Sequence, residues 1–154
     1  MALKPDRLIN PFGDDLSFFM DEVADVGGIV TISTGGSGAA MDQSAALVTY
    51  AAAPSGKVPV GVLLTKMVNK DLTQTHLNKY NGEVQKGGKV RVNRQCVINT
   101  DMIYPGLTPA AGDTAYVVTS GLFHNANSSN TRPQVGTFLS SKDADGFAKI
   151  KVNL

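Results

Sequence analysis

Two histidines, one cysteine, a pair of aspartates and a glycine cluster are the residues whose types could do chemistry. His76 and His124 each lie in a polar stretch. Either could be written into a Ser/His/Asp triad, but no Gly-x-Ser-x-Gly elbow supplies a nucleophile. Two distant histidines without further ligands nearby also make a poor zinc site. Both are read as solvated loop histidines. Cys96 is the sole cysteine, which excludes an intrachain disulfide and a cysteine-based zinc cluster. Its neighbours Val97 and Ile98 predict a buried structural thiol. Asp143-x-Asp145-Gly146 has the opening of a calcium loop, but the later ligand positions are missing and a strand pattern follows at once. A hairpin turn is expected there. Gly35-Gly36-Ser37-Gly38 lacks the lysine and the strand-to-helix setting of a phosphate loop. No cofactor, no metal and no catalytic residue is assigned.

The elements that would position a site belong to a chain of 154 residues, most simply one domain with a real core. Charged residues make up 18% and aromatics 6%, without tryptophan, and the net charge is +1. That balance gives no general argument for nucleic acid or for an anionic membrane. The charge is unevenly placed. Residues 1–25 carry about −4, and residues 66–94 about +5, with seven basic side chains against Asp71 and Glu83. In that basic middle Tyr80 stands alone, so the stacking platforms of a single-strand binder are missing. A solvated face, or a partner for an acidic surface, is the better reading. No apolar run approaches the ~20 residues of a membrane helix, and the N-terminus has no apolar core of a secretory signal.

From Gly28 onward the pattern is β. Ile29-Val30-Thr31-Ile32-Ser33-Thr34 is β-branched and alternating, and Lys89-Val90-Arg91-Val92 alternates charged with apolar, as a strand with one wet face does. Residues 43–53 read as a strand joined through Ala53-Pro54-Ser55-Gly56-Lys57, hairpin fashion, to the strand beginning at Val58. The closing Phe147–Leu154 stretch predicts a strand docked in a sheet. Short strands with frequent turns indicate an all-β sandwich or barrel. Self-similarity is also visible. Pro59-Val60-Gly61 with its apolar run, hydroxyl residue and lysine matches Pro133-Gln134-Val135-Gly136 and its sequel. Each copy follows a strand and a glycine-marked turn, which suggests an internal duplication. Residues 1–25 differ from the rest. They form either an extended arm that reaches a neighbouring subunit or an N-terminal strand on the chain's own core. The division expected is an arm over 1–25 and a β domain over 26–154.

Four stretches carry a family resemblance: Ala111-Gly112-Asp113-Thr114-Ala115-Tyr116-Val117-Val118-Thr119, the polar loop after it, Pro133-Gln134-Val135-Gly136-Thr137-Phe138-Leu139, and Lys149-Ile150-Lys151-Val152-Asn153-Leu154. Together they resemble the head-decoration (capsid cement) proteins of tailed bacteriophages, of the β-tulip type. The likeness is good over residues 110–154, looser over 28–66, and does not reach 1–25 or 66–100. It implies a non-enzymatic virion protein, made in the host cytoplasm, that binds the outer capsid surface and bridges capsomers. The implied partners are the major capsid protein and itself, as a homotrimer, with neither nucleic acid nor membrane. The contact residues expected are Phe12, Leu16, Phe18 and Phe19 of the arm and Lys86, Lys89 and Arg91 of the basic middle. Acidic head and basic middle would set register between copies, because charge complementarity supplies specificity. Other virion β modules (tail tube or baseplate) and a carbohydrate-binding sandwich are the alternatives, the last disfavoured by the lack of tryptophan.

Overall fold

The structure is a computed structural model that describes residues 15–35, 46–66, 83–84 and 86–154. It is all-β, as expected. Ten of its strands form two five-stranded units and two short ones, β2 (Ala24–Asp25) and β6 (Glu83–Val84), pair with each other. The first unit is a closed barrel of β1 (Asp15–Met20), β3 (Ile29–Thr34), β4 (Leu47–Thr49), β5 (Pro59–Lys66) and β7 (Lys89–Asn93), in the order β1-β4-β3-β5-β7. The second holds β8 (Gln95–Thr100), β9 (Thr114–Val117), β10 (Phe123–His124), β11 (Gln134–Phe138) and β12 (Ala148–Asn153), in the order β10-β9-β11-β12-β8.

The two units are the same fold written twice. Taking β1, β3, β4, β5 and β7 onto β8, β9, β10, β11 and β12 in chain order reproduces each antiparallel pairing: β3 with β4 and β5, β5 with β7, and β7 with β1. In the second unit β9 pairs with β10 and β11, β11 with β12, and β12 with β8. The closing seam also repeats. Strands β1 and β4 pair in parallel at Phe19↔Leu47 and Met20↔Val48, and Ile103, just past β8, makes a parallel bridge to Phe123 of β10.

The Val-Gly motif marks the duplication at atomic detail. In both copies the ladder skips the valine, Val60 between Pro59 and Gly61 and Val135 between Gln134 and Gly136. Such a bulge bends and twists the strand, which helps a five-stranded sheet curl. The following glycine is needed for close approach. A Cβ on Gly61 would run into the Asn93 carbonyl of β7, and one on Gly136 into the Lys151 carbonyl of β12. The third strands match as well, since Lys89-Val90-Arg91-Val92-Asn93 corresponds to Lys149-Ile150-Lys151-Val152-Asn153.

Alternation separates core from surface. Met20, Val30, Val48, Val60, Leu63, Val90 and Val92 fill the barrel, with Phe18 and Tyr50 packed on them. The second core gathers Cys96, Ile98, Phe123, Val135, Phe138, Ile150 and Val152, and takes in Ile29 and Val62 from the barrel wall. The units therefore share apolar surface. They are joined by Arg94 alone, where buried Asn93 turns the chain by accepting the Gln95 N–H on its side-chain oxygen at 2.9 Å.

Several expectations need comment. Leu47–Thr49 is a strand, but β3 lies between it and β5, so residues 50–58 are not a hairpin connection. A β4–β5 hairpin would leave β3 without its second neighbour, and β3 carries the barrel's buried Val30. The Asp143 turn does join two paired strands: the Asp143 carboxylate accepts the amides of Asp145 and Phe147, at 3.0 and 2.8 Å. Cys96 is buried. His124 is not a loop residue. It ends β10, half-buried, because the strand is held by Tyr116 on β9. His76, Gly36–Gly38 and most of the basic middle lie outside the described residues.

Candidate interaction surface

Three of the expected contact residues are assembled by the pairing of β1 with β7. Phe19 lies opposite Lys89, and Ser17 opposite Arg91. On β7 Val90 and Val92 are buried, so Lys89 and Arg91 point away from the core, Lys89 half-buried and Arg91 exposed. Phe18 turns inward onto the barrel core, while Phe19, next in sequence and half-buried, shares the register row of Leu47 and Lys89. An aromatic ring beside basic side chains on a barrel wall is the usual makeup of a protein contact: apolar centre, charged rim. Leu16 lies opposite Val92 in register, and its side chain, like all of Phe12, is outside the described residues.

Lys86 stands at the edge of this face. Its Nζ is 3.7 Å from Asp21 Oδ1, with the two side chains 71% and 35% exposed. One contact between acidic head and basic middle is thus made within a chain. A pair so exposed contributes at most about 1 kcal/mol. Glu22 is also engaged internally, accepting the Tyr50 N–H and the Thr49 hydroxyl at 2.5 Å each.

Sequence reasoning missed the joint between the units. Tyr50 donates its hydroxyl proton to the Asp25 carbonyl at 2.6 Å and accepts the Gly28 N–H at 3.1 Å. Burial pushes its phenol far above the ordinary range. The Gly28 amide opposes that shift, and the nearby charges of Asp25 and Glu22 reinforce it. A Cβ on Gly28 would lie 2.9 Å from the Gly121 carbonyl and 3.0 Å from the Tyr50 ring. Gly121, at φ +72°, sits under the same ring. Ser120 N–H bonds to the Ala51 carbonyl at 2.9 Å, and Thr100 Oγ1 to the Gly27 carbonyl at 3.1 Å. The one legible signal was the Gly27-Gly28 pair opening the first strand.

A second built region is the loop after β10. Tyr104, 42% exposed, holds its ring 5.3 Å from that of His124. His124 Nδ1 accepts the Ala126 N–H at 2.9 Å, and Arg132 donates to the Ala126 carbonyl at 2.8 Å. Burial, then the Arg132 charge, lowers the His124 pKa. Asn125 and the Ala110 amide hold Asp113 below the usual carboxylate range. A cleft of about 390 Å³ lies beside β12, lined by Asn99, residues 140–143 and residues 147–149. There Ser140 Oγ accepts the Lys149 N–H and donates to the Ser141 carbonyl, which is a structural use of the hydroxyl. Among the described residues no group of three His, Cys, Asp or Glu could hold a metal ion. The geometry offers surfaces.

The family model described as structural cement protein (E217 gp24/Pam3 gp6) matches residues 17–153. The chain belongs to the phage structural cement protein family. It is accordingly a virion structural protein of a phage, and the match extends well beyond the C-terminal stretches that carried the resemblance, covering both five-stranded units. The solved head fiber gp8.5 N base of bacteriophage phi29 shares the fold with this cement-family chain. The TM-score is 0.55 at 11% identity, over 96% of this chain and 95% of that one. No curated protein matches the chain.

Proposed function

We propose that this protein binds the outer surface of a phage capsid and stabilises the shell by bridging capsomers, without enzymatic activity. The observation that carries the proposal is the cement-family match across residues 17–153. The fold shared with a phage head fiber base supports it. The contact face is the outer wall of β1 and β7, with Phe19, Lys89, Arg91 and Lys86, joined by Phe12 and Leu16 from the N-terminal stretch. Phe18 supports that wall from inside. Residues 1–25 act as the arm toward the shell or a neighbouring protomer, with β1 as its root in the barrel. The working form is a homotrimer, its partners the major capsid protein and itself. Many copies, each adding contacts across a capsomer junction, stabilise a shell by mass action and multivalency.

The test is to add purified protein to expanded shells that lack it, then measure co-sedimentation and the temperature at which shells come apart. Saturable binding with a raised disruption temperature is expected. Protein that stays in the supernatant at every salt concentration, with shell stability unchanged, refutes the proposal. Light scattering of the free protein should give three times the chain mass.

A further inference from the structure

The duplication places basic side chains at equivalent positions on both units. On β7 the outward residues are Lys89 and Arg91, and on β12 they are Lys149 and Lys151, between buried Ile150 and Val152. Each row has an apolar companion on the strand beside it: Phe19 opposite Lys89 in the first unit, half-buried Val97 opposite Lys151 in the second. The second row is flanked by the 390 Å³ cleft, whose lining includes Lys142, Lys149 and Phe147. The rows also share a junction. The Leu154 N–H bonds to the Arg94 carbonyl at 3.1 Å, so the ends of β7 and β12 meet. Arg91 and Lys151 each stand three residues before that junction, about 10 Å of extended chain.

Core packing does not require this repetition. The inward residues Val90/Val92 and Ile150/Val152 satisfy the cores, and the outward positions could carry any polar residue. Lysine or arginine at all four, in a chain whose net charge is only +1, makes two local basic stripes on an otherwise balanced surface.

We infer that the two stripes are a pair of equivalent docking faces, Lys89/Arg91 with Phe19 and Lys149/Lys151 with Val97, each of which seats on an acidic surface repeated on the partner. This rests on the capsid-binding reading above and deepens it. A lattice presents the same surface many times, and a chain that carries the same face twice grips two of them. Linked sites raise apparent affinity about 10²–10⁴-fold over either alone. The second stripe lies in a part of the chain whose charge is balanced overall, so it is the less obvious half.

The experiment measures binding of the full chain to expanded shells lacking it, at several salt concentrations. The variants are K89E/R91E, K149E/K151E, the combination of all four, and the corresponding glutamine variants, each checked by thermal melting. Either reversal alone should lower apparent affinity at least about tenfold, by similar factors, and flatten its salt dependence, whereas all four together should abolish binding. The glutamine variants should fall between. If K149E/K151E melts normally and binds within twofold of the unaltered chain, the inference is overturned while capsid binding stands. If the unaltered chain does not bind shells, the underlying reading fails and takes the inference with it. Equal affinity for duplex DNA or heparin would replace the acidic protein surface with a general polyanion, and so would also overturn it.

Discussion

Tyr50→Phe isolates the joint between the two units. The substitution keeps the ring that packs over Gly121 and removes one oxygen. That oxygen accepts the N–H of buried Gly28 and donates to the carbonyl of exposed Asp25. The Asp25 carbonyl can turn to water. The Gly28 amide cannot, because Gly121, Met102 and the tyrosine ring crowd within about 3 Å of where its side chain would be. Leaving one buried donor unpaired costs about 1–3 kcal/mol. At about 2–4 °C per kcal/mol for a chain of this length, the melting temperature should drop by about 3–10 °C. The same hydroxyl gives an alkaline signature. Its folded pKa is raised, so the stabilisation it reports is complete below pH ~10 and is lost as pH rises toward the folded value. Of the four tyrosines, one should ionise only as the protein unfolds, a step seen by absorbance at 295 nm and absent in Tyr50→Phe. A melting temperature within 1 °C of the parent, or a Tyr50 phenol that titrates near pH 10 in the folded protein, would show that this joint does not hold the units together.

Gly61→Ala and Gly136→Ala should each destabilise by at least about 1–3 kcal/mol in chemical denaturation, since both methyls meet a strand carbonyl. Gly146→Ala, which meets nothing but holds φ +90°, should cost about 1 kcal/mol. If Gly136 tolerates alanine while Gly146 does not, the account of the bulge is wrong. Cys96 is buried and should resist a thiol reagent in native buffer, then react fully in denaturant; rapid native labelling contradicts its place in the core. His124 has a lowered pKa, so the stability tied to its neutral ring is present above pH ~6.5 and declines as pH falls through the folded value. An NMR titration should put its midpoint below that of a free histidine, and a midpoint at or above it removes the role of Arg132 and burial.

The all-β class was legible because β-branched alternation is a local property. Val90/Val92 against Lys89/Arg91 shows its wet and dry faces without any partner strand. The duplication was half legible. Val-Gly repeats could be matched by eye, but the pairing of Lys89–Asn93 with Lys149–Asn153 emerges only when both are seen as the strand against which the glycine packs. The β4–β5 connection was misjudged because a short loop between two strands looks the same whether they pair or sandwich a third. Phe18 and Phe19 could be singled out together as anchors, yet one faces the core and the other the surface, which only the β1–β7 register distinguishes. Tyr50 carried no signal at all, since its partners Asp25, Gly28 and Gly121 are brought in from distant parts of the chain.

What the residues determined on their own is therefore the local physics: strand-forming segments, a buried thiol at Cys96, a turn at Asp143, charge gathered into an acidic head and a basic middle, and a recurring Val-Gly strand. Tertiary structure decided which strands pair, that β7 and β12 are equivalent, and that a tyrosine between two glycines joins the units. The reason is physical. Side-chain alternation and turn chemistry act over a few residues, whereas pairing order and inter-unit packing depend on groups far apart in the chain, whose meeting no local pattern encodes.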